Sequence, residues 1–239
     1  GPQVWAWRAG RLRTVARVAN HVALILPFEP PLYEAAGIPA TFVGHPLLDD
    51  ERAPAVEVEY DLGLFPGSRA LEIARHLPVL LAAAARLRQA RGTLRLLVSQ
   101  APTTARPTMQ AMLRAHGFDP ERDLTSEPAR VAMRRCRALL VASGTATLEA
   151  ALAERPFAVL YRTGRTSYWI ARRLVHVPHV ALANLVAGEE VVREYVQDAA
   201  EPVRLAAEAA RLLDDAAERS RIAAGLRGIR ARLGTPGAA

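Results

Sequence analysis

Ser143-Gly144-Thr145-Ala146-Thr147-Leu148-Glu149 follows the apolar run Ala138-Leu139-Leu140-Val141-Ala142 and leads into Ala150-Ala151-Leu152-Ala153. That order predicts a strand, a tight turn and a helix start. The backbone N–H groups of a helix's first turn lack intrahelical acceptors and sit at the positive end of the helix dipole. A turn of small residues there is a natural seat for a diphosphate. Glu149 stands one helical turn past Thr145, about 6 Å along the axis at roughly 1.5 Å per residue. A carboxylate at that reach can accept both hydroxyls of a ribose. The same letters also read as an ordinary helix with an acidic residue favouring its N-terminus. Against that, the residue three before Glu149 is Ala146, so no capping box is completed.

A second loop of the same kind is Pro66-Gly67-Ser68-Arg69, after the apolar run that ends at Phe65. Gly67 lets backbone approach a ligand closely, Ser68 can donate to an oxygen, and Arg69 offers a planar cation to a phosphate pair. Alone, this loop also reads as a strand-to-helix turn with a solvated Arg. Tyr161-Arg162 ends a further apolar run, Phe157 to Leu160, and so falls at the same sheet edge; Asn184 follows the short run Val180 to Ala183. Either can be structural, the Arg in water and the Asn fixing its own turn. Neither Gly-rich loop is a dinucleotide fingerprint or an NTPase phosphate loop, and no Gly-x-Ser-x-Gly elbow occurs. His176 and His179 flank Pro178, which breaks the helix that would align them, so no metal site is expected.

Open parallel sheets bind ligands at the carboxyl ends of their strands, and the chain from Tyr60 onward alternates in that manner. The predicted pairs are Leu62 to Phe65 with Ala70 to Arg88, Leu94 to Ser99 with Thr103 to His116, Ala138 to Ala142 with Ala146 to Ala153, and Phe157 to Tyr161 with Thr166 to Val175. Two more helices follow, about Pro202 to Asp214 and Ala217 to Leu233. Repeated units of this kind predict a mostly parallel sheet with helices on both faces. Before it lie an amphipathic helix from Arg8 to Asn20, a strand from His21 to Leu26, a short helix from Pro31 to Ala36 and a strand from Ala40 to Val43. The acidic, proline-containing stretch from Asp49 to Glu59 has no period and reads as a linker.

The 239 residues carry a net charge of +7, yet every basic side chain is Arg and none is Lys. With the heavy use of Ala, that marks a compositional bias and discounts charge as a sign of nucleic acid. A lone Cys136 excludes an internal disulfide and a cysteine metal cluster and fits a reducing cytoplasm. No run approaches the roughly 18 to 20 apolar residues of a membrane-spanning helix, which leaves peripheral contact. Trp5 and Trp7, and Tyr168, Trp169, Arg172 and Arg173, are aromatic-basic groupings that suit either a membrane interface or half-buried packing. The chain begins at Gly1 with no charged-then-apolar segment before Trp5, and the expectation is a piece of a longer protein.

Taken in order, Pro2-Gln3-Val4-Trp5-Ala6-Trp7-Arg8, Leu26-Pro27-Phe28-Glu29, Phe42-Val43-Gly44-His45-Pro46, Pro66-Gly67-Ser68-Arg69 with Glu72-Ile73, Ala142 to Glu149, Tyr161-Arg162 and Asn184-Leu185 resemble lipid-A-disaccharide synthase over nearly the whole chain. The resemblance implies a GT-B-type inverting glycosyltransferase: a Rossmann-type parallel sheet with helices on both faces, plus the tail end of a second, N-terminal Rossmann-like domain. It divides the chain into residues 1–48 from the acceptor domain, a linker at 49–59, a nucleotide-sugar domain at 60–214 and a C-terminal helix at 215–239. The implied reaction moves 2,3-diacylglucosamine from its UDP derivative onto 2,3-diacylglucosamine 1-phosphate, giving a β-1,6-linked disaccharide phosphate and UDP. Arg69 matches a family arginine important for activity. The wider implied nucleotide-sugar set is Gly67, Ser68, Arg69, Ser143, Gly144, Thr145, Glu149, Tyr161, Arg162 and Asn184, with the general base in the N-terminal half. No cofactor and no metal are implied. The implied setting is cytoplasmic and peripheral to the inner membrane, without nucleic acid, and a homodimer is open. The alternatives are another UDP-sugar enzyme, such as the peptidoglycan-precursor glycosyltransferase or a UDP-N-acetylglucosamine 2-epimerase, or a non-catalytic nucleotide-binding fragment. The family's Leu-Pro-Asn reads Leu182-Ala183-Asn184 here.

Overall fold

Tyr60–Phe65 (β3) and Cys136–Ala142 (β6) are apolar almost throughout and buried along most of their length, as strands must be when helices cover both faces of a sheet. They pair in parallel at the middle of a six-stranded sheet, with Phe65 opposite Val141. The computed structural model describes residues 10–49, 56–164, 168 and 178–238. Leu96–Ser99 (β4) and Leu124–Thr125 (β5) lie on one side of β3; Phe157–Tyr161 (β7) and Glu194–Val196 (β8) lie beyond β6. The order is β5-β4-β3-β6-β7-β8 and every pairing is parallel. The chain thus winds outward from β3 to one edge, returns to the centre, and winds to the other.

Ala70–Arg91 (α3) buries Ile73, Leu77, Leu80, Leu81, Ala84 and Leu87, one stripe at helical spacing. It runs through Pro78 and stops at Gly92, whose φ of 79° suits glycine. Arg106–Ala115 (α4) and Pro202–Asp214 (α9) pack beside α3. Ala129–Arg134 (α6), Ala146–Leu152 (α7), Leu182–Ala187 (α8) and Ala216–Arg232 (α10) pack with one another. Pro120–Asp123 (α5) is a single turn before β5. Ile222, Leu226, Ile229 and Leu233 of the last helical stretch join the same core as the sheet.

A smaller unit precedes this. Arg11–Val18 (α1), Val22–Leu24 (β1), Pro30–Ala35 (α2) and Ala40–Phe42 (β2) enclose Val22, Leu24, Tyr33 and Ile38, and the two strands pair in parallel. After α10 the chain returns to the exit of this unit. His45 N–H donates to Leu233 O at 3.0 Å, and a Cβ on Gly44 would stand 2.7 Å from Thr235 O. Arg130, 8% exposed on α6, donates to Leu47 O at 2.6 Å.

The boundaries differ from the sequence reading mainly at the ends, with α1 shorter than Arg8 to Asn20 and α4 beginning at Arg106. Elements β5, β8, α5, α6 and α8 carry too few residues for a period to show. All but Tyr168 of the helix expected from Thr166 to Val175, the motif Trp5-Ala6-Trp7 and most of the expected linker lie outside the described residues. No helix of the described residues is long and apolar enough to cross a membrane.

The outer sheet edge is tied to its helices by charge. Glu208 on α9, 3% exposed, accepts from Arg211 at 2.5 and 3.0 Å, from the Tyr195 hydroxyl at 3.1 Å and from Arg193 at 3.3 Å. Arg211 also meets Glu218 of α10 at 2.7 Å. Arg211→Met strands a buried carboxylate and lowers unfolding free energy by about 3 kcal/mol in urea titration. The Glu218 carboxyl is held down to about 2 by its Arg221 and Arg211 hydrogen bonds, against 4.5 unperturbed. Its contribution is therefore full above pH 4.5 and lost as pH falls toward 2. Arg221→Ala makes the acid limb of a stability-against-pH curve shallower.

Candidate functional site

Because β3 and β6 are neighbours and Phe65 stands level with Val141, the loops after them leave the sheet side by side. The β7 loop leaves next in line, Ala142 being paired with Leu160. This is the switch point of the doubly wound sheet, where neighbouring strands send their helices to opposite faces and a crevice opens. Pro66–Arg69, Ser143–Thr145 and Tyr161–Arg162, far apart in the chain, are thereby brought to one rim.

His76 pins that rim together. Its ring, 3% exposed on α3, places Nδ1 2.9 Å from Pro66 O, which can only accept. Nε2 lies 3.2 Å from the Arg162 amide nitrogen and 3.1 Å from the Arg162 carbonyl oxygen, so the ring engages the Arg162 backbone. Residue 76 carried no sequence signal, because a histidine inside a helical run looks the same whether it faces water or bridges two loops.

The first loop is not empty. Glu72 Oε2 accepts from the N–H of Ser68 at 3.3 Å and of Arg69 at 3.4 Å, while Arg69 Nη1 donates to Oε1 at 2.5 Å. Gly67 has φ of 108°, and a Cβ there would fall 2.7 Å from Glu72 Oε2. The space that the sequence reading gave to a ligand at Gly67 is therefore filled by this carboxylate. Burial pulls the Glu72 carboxyl upward, but the hydrogen bonds from Arg69 and Ser68 outweigh it and hold it below its ordinary value. Thr103 Oγ1 donates to Ser68 O at 2.6 Å and braces the loop from β4.

At the second loop, Ser143 N–H closes onto Leu160 O, and no acceptor among the described residues takes the N–H of Gly144 or Thr145. Nothing approaches within 4 Å of the Cβ position at Gly144. The Ser143 hydroxyl proton is engaged by Val180 O at 2.6 Å, so Ser143 braces the segment before α8 and its hydroxyl does not donate to a phosphate. Glu149 is half-buried one turn into α7, and among the described residues no donor reaches its carboxylate. Burial pushes its carboxyl up, offset in part by the charge of Arg130.

Asn184 is corrected by the structure. It is 0% exposed. Its Nδ2 donates to Val192 O and Glu194 Oε1, both at 2.8 Å, and its Oδ1 accepts from the N–H of Val191 at 3.0 Å and Val192 at 3.1 Å. All its bonding capacity is used inside the fold, so it has no donor or acceptor free for a ligand. Glu194 also accepts from Val180 and Ala181 N–H at 2.8 and 3.0 Å, holding the segment that Ser143 touches. Tyr161 and Arg162 are half-buried at the rim. Arg162 lines a groove of about 360 Å³ with Ala74, Arg75, Pro78, Val79 and Thr163. His179 stands 3.8 Å from Glu194, and His176 lies outside the described residues.

The site therefore combines open backbone donors, two guanidinium groups at the edge and a carboxylate without a donor, the complement of a diphosphate joined to a diol. The lipid-A-disaccharide synthetase family matches residues 1–232. Relatives named lipid-A-disaccharide synthase include one from Anaeromyxobacter dehalogenans, 43% identical over 247 residues, and one from Geobacter sulfurreducens, 39% identical over 247 residues. Each alignment takes in 99% of this chain and 64% of the relative, so the chain spans less than two thirds of the length of these proteins. Among solved structures, the calicheamicin glycosyltransferase shares the fold with a TM-score of 0.52 at 18% identity, covering 89% of this chain and 48% of that one. The sheet is thus the Rossmann-type unit of a GT-B architecture. By its match to the family along nearly all its length, the chain belongs to the lipid-A-disaccharide synthetases.

Proposed function

We propose that this chain carries the donor half of a lipid-A-disaccharide synthase, which moves 2,3-diacylglucosamine from UDP onto 2,3-diacylglucosamine 1-phosphate. The observation that carries the reading is the open pair of N–H groups at Gly144 and Thr145, one turn before the donor-free carboxylate of Glu149. A diphosphate on those N–H groups sets its ribose beside Glu149, and both hydroxyls of the sugar can donate to the carboxylate. The acceptor hydroxyl attacks the anomeric carbon from the face opposite UDP, inverting it. The bond from that carbon to the diphosphate oxygen breaks, and charge develops on the departing UDP. Arg69 and Arg162 are the side chains at the rim able to meet that charge, and donors fixed in advance supply much of such a site's catalytic power.

In this reading residues 60–214 hold the nucleotide sugar, 1–48 close the acceptor side beyond a linker at 49–59, and 215–239 form the C-terminal helix. The general base belongs to the N-terminal half. Both substrates carry acyl chains, which supports work at the cytoplasmic face of the inner membrane, with the aromatic-basic stretch Tyr168, Trp169, Arg172 and Arg173 as a contact. A homodimer rests on the family resemblance alone.

In the longer protein that includes the acceptor half, Arg69→Ala lowers kcat by about 100-fold with a smaller change in UDP affinity, as steady-state kinetics and calorimetry measure. Wild-type kinetics in that variant remove Arg69 from the chemistry. Glu149→Gln weakens UDP binding by about tenfold and abolishes the preference for UDP over 2′-deoxy-UDP. Because burial disfavours the ionised Glu149 carboxyl, the same variant without ligand melts higher, by about 2–4 °C for each 1 kcal/mol relieved. A lower melting point with unchanged UDP affinity would make Glu149 a structural residue instead.

A further inference from the structure

Three donors that the first loop could offer a diphosphate are already taken, and one side chain takes all three. The N–H of Ser68, the N–H of Arg69 and the guanidinium of Arg69 all converge on Glu72. Gly67 keeps open the space in which that carboxylate lies. Resting on the nucleotide-sugar reading above, we infer that Glu72 is an internal anion that occupies the donor's phosphate seat when the site is empty and yields it when the diphosphate arrives.

The geometry suits exchange better than permanent capping. The backbone bonds, at 3.3 and 3.4 Å, are longer than the usual N–H···O distance, so the carboxylate holds them loosely. Arg69 is 80% exposed and Glu72 32%, so their ion pair is screened by water and weak. The loop itself is braced by Thr103 at Ser68 O and by His76 at Pro66 O. Only the Glu72 side chain has to move, a rotamer change that is fast compared with turnover. While in place, the carboxylate keeps Arg69 turned back toward the cradle and repels stray anions. Once displaced, it leaves the same three donors arranged for an incoming phosphate. A diphosphate brings more charge than a carboxylate and bridges both loops at once, whereas Glu72 reaches one. Glu72 is thus a positioning residue that acts through Arg69.

Competition and capping predict opposite signs, and this decides between them. Titration calorimetry of the chain is run with UDP, inorganic pyrophosphate and uridine, on the wild type and Glu72→Gln, with thermal melts to show that the variant is folded. If Glu72 competes, the variant binds UDP and pyrophosphate about two- to fivefold more tightly than wild type, and uridine affinity is unchanged. Should the variant not fold, Glu72→Asp serves instead, since its shorter side chain cannot span the same three donors, and it carries the same expectation. A folded variant that binds UDP no more tightly than wild type overturns the role of Glu72 and leaves the nucleotide reading standing. A wild-type chain that binds no UDP overturns both.

Discussion

The parallel pairing of β3 with β6 is the constraint on which the site depends. It joins the first strand of the sheet to one formed much later, after the chain has travelled to the edge and come back. Hydrogen bonding fixes the register so that Phe65 and Val141 are level, and two loops without sequence similarity are thereby forced to share a crevice. Sliding that pairing by one residue would turn every buried side chain of β6 to the opposite face, so the core and the site are specified by the same ladder.

Around the rim, polar groups divide into those the fold has engaged and those it has left open. His76, Ser143, Asn184 and Glu194 are engaged with backbone groups of other segments, and they set loop positions. The N–H groups of Gly144 and Thr145 and the carboxylate of Glu149 are left without partners among the described residues. A protein optimised for stability alone would satisfy that second group, because a half-buried carboxylate without a donor costs free energy. Strain of this kind, carried by a few groups and supported by a satisfied surrounding shell, is what a binding site requires. At the first loop the protein has engaged three donors with its own Glu72.

The same helix that shapes the second loop's surroundings also touches the smaller unit. Arg130 donates to Leu47 O at the exit from that unit, and its charge acts on the carboxyl of Glu149. Close approach at Gly44 and Gly234, where a Cβ on Gly234 would lie 3.0 Å from Gly44 Cα, brings the end of the last helix against the same junction. In a two-domain glycosyltransferase the donor and acceptor must meet across such a junction. A charge that reaches both Glu149 and the connecting segment is well placed to feel each.

What the letters determined is local and periodic. Alternation of apolar runs with helical stripes gave the parallel sheet, small residues after β3 and β6 marked the two loops, and Glu149 showed by its spacing from Thr145. These follow from backbone geometry, which repeats and is therefore legible. Short elements such as β5, β8 and α8 escaped because a few residues cannot display a period. Tertiary structure alone decided which polar side chains are engaged inside the fold and which stay open. Asn184 and Ser143 look like binding residues in sequence and are turned inward, while His76 and Glu72, silent or ambiguous as letters, hold the rim and tie down the loop at Gly67. The reason is physical: a side chain's role is set by which donors and acceptors stand within about 3 Å of it, and in a doubly wound sheet those neighbours come from segments that the chain order keeps far apart.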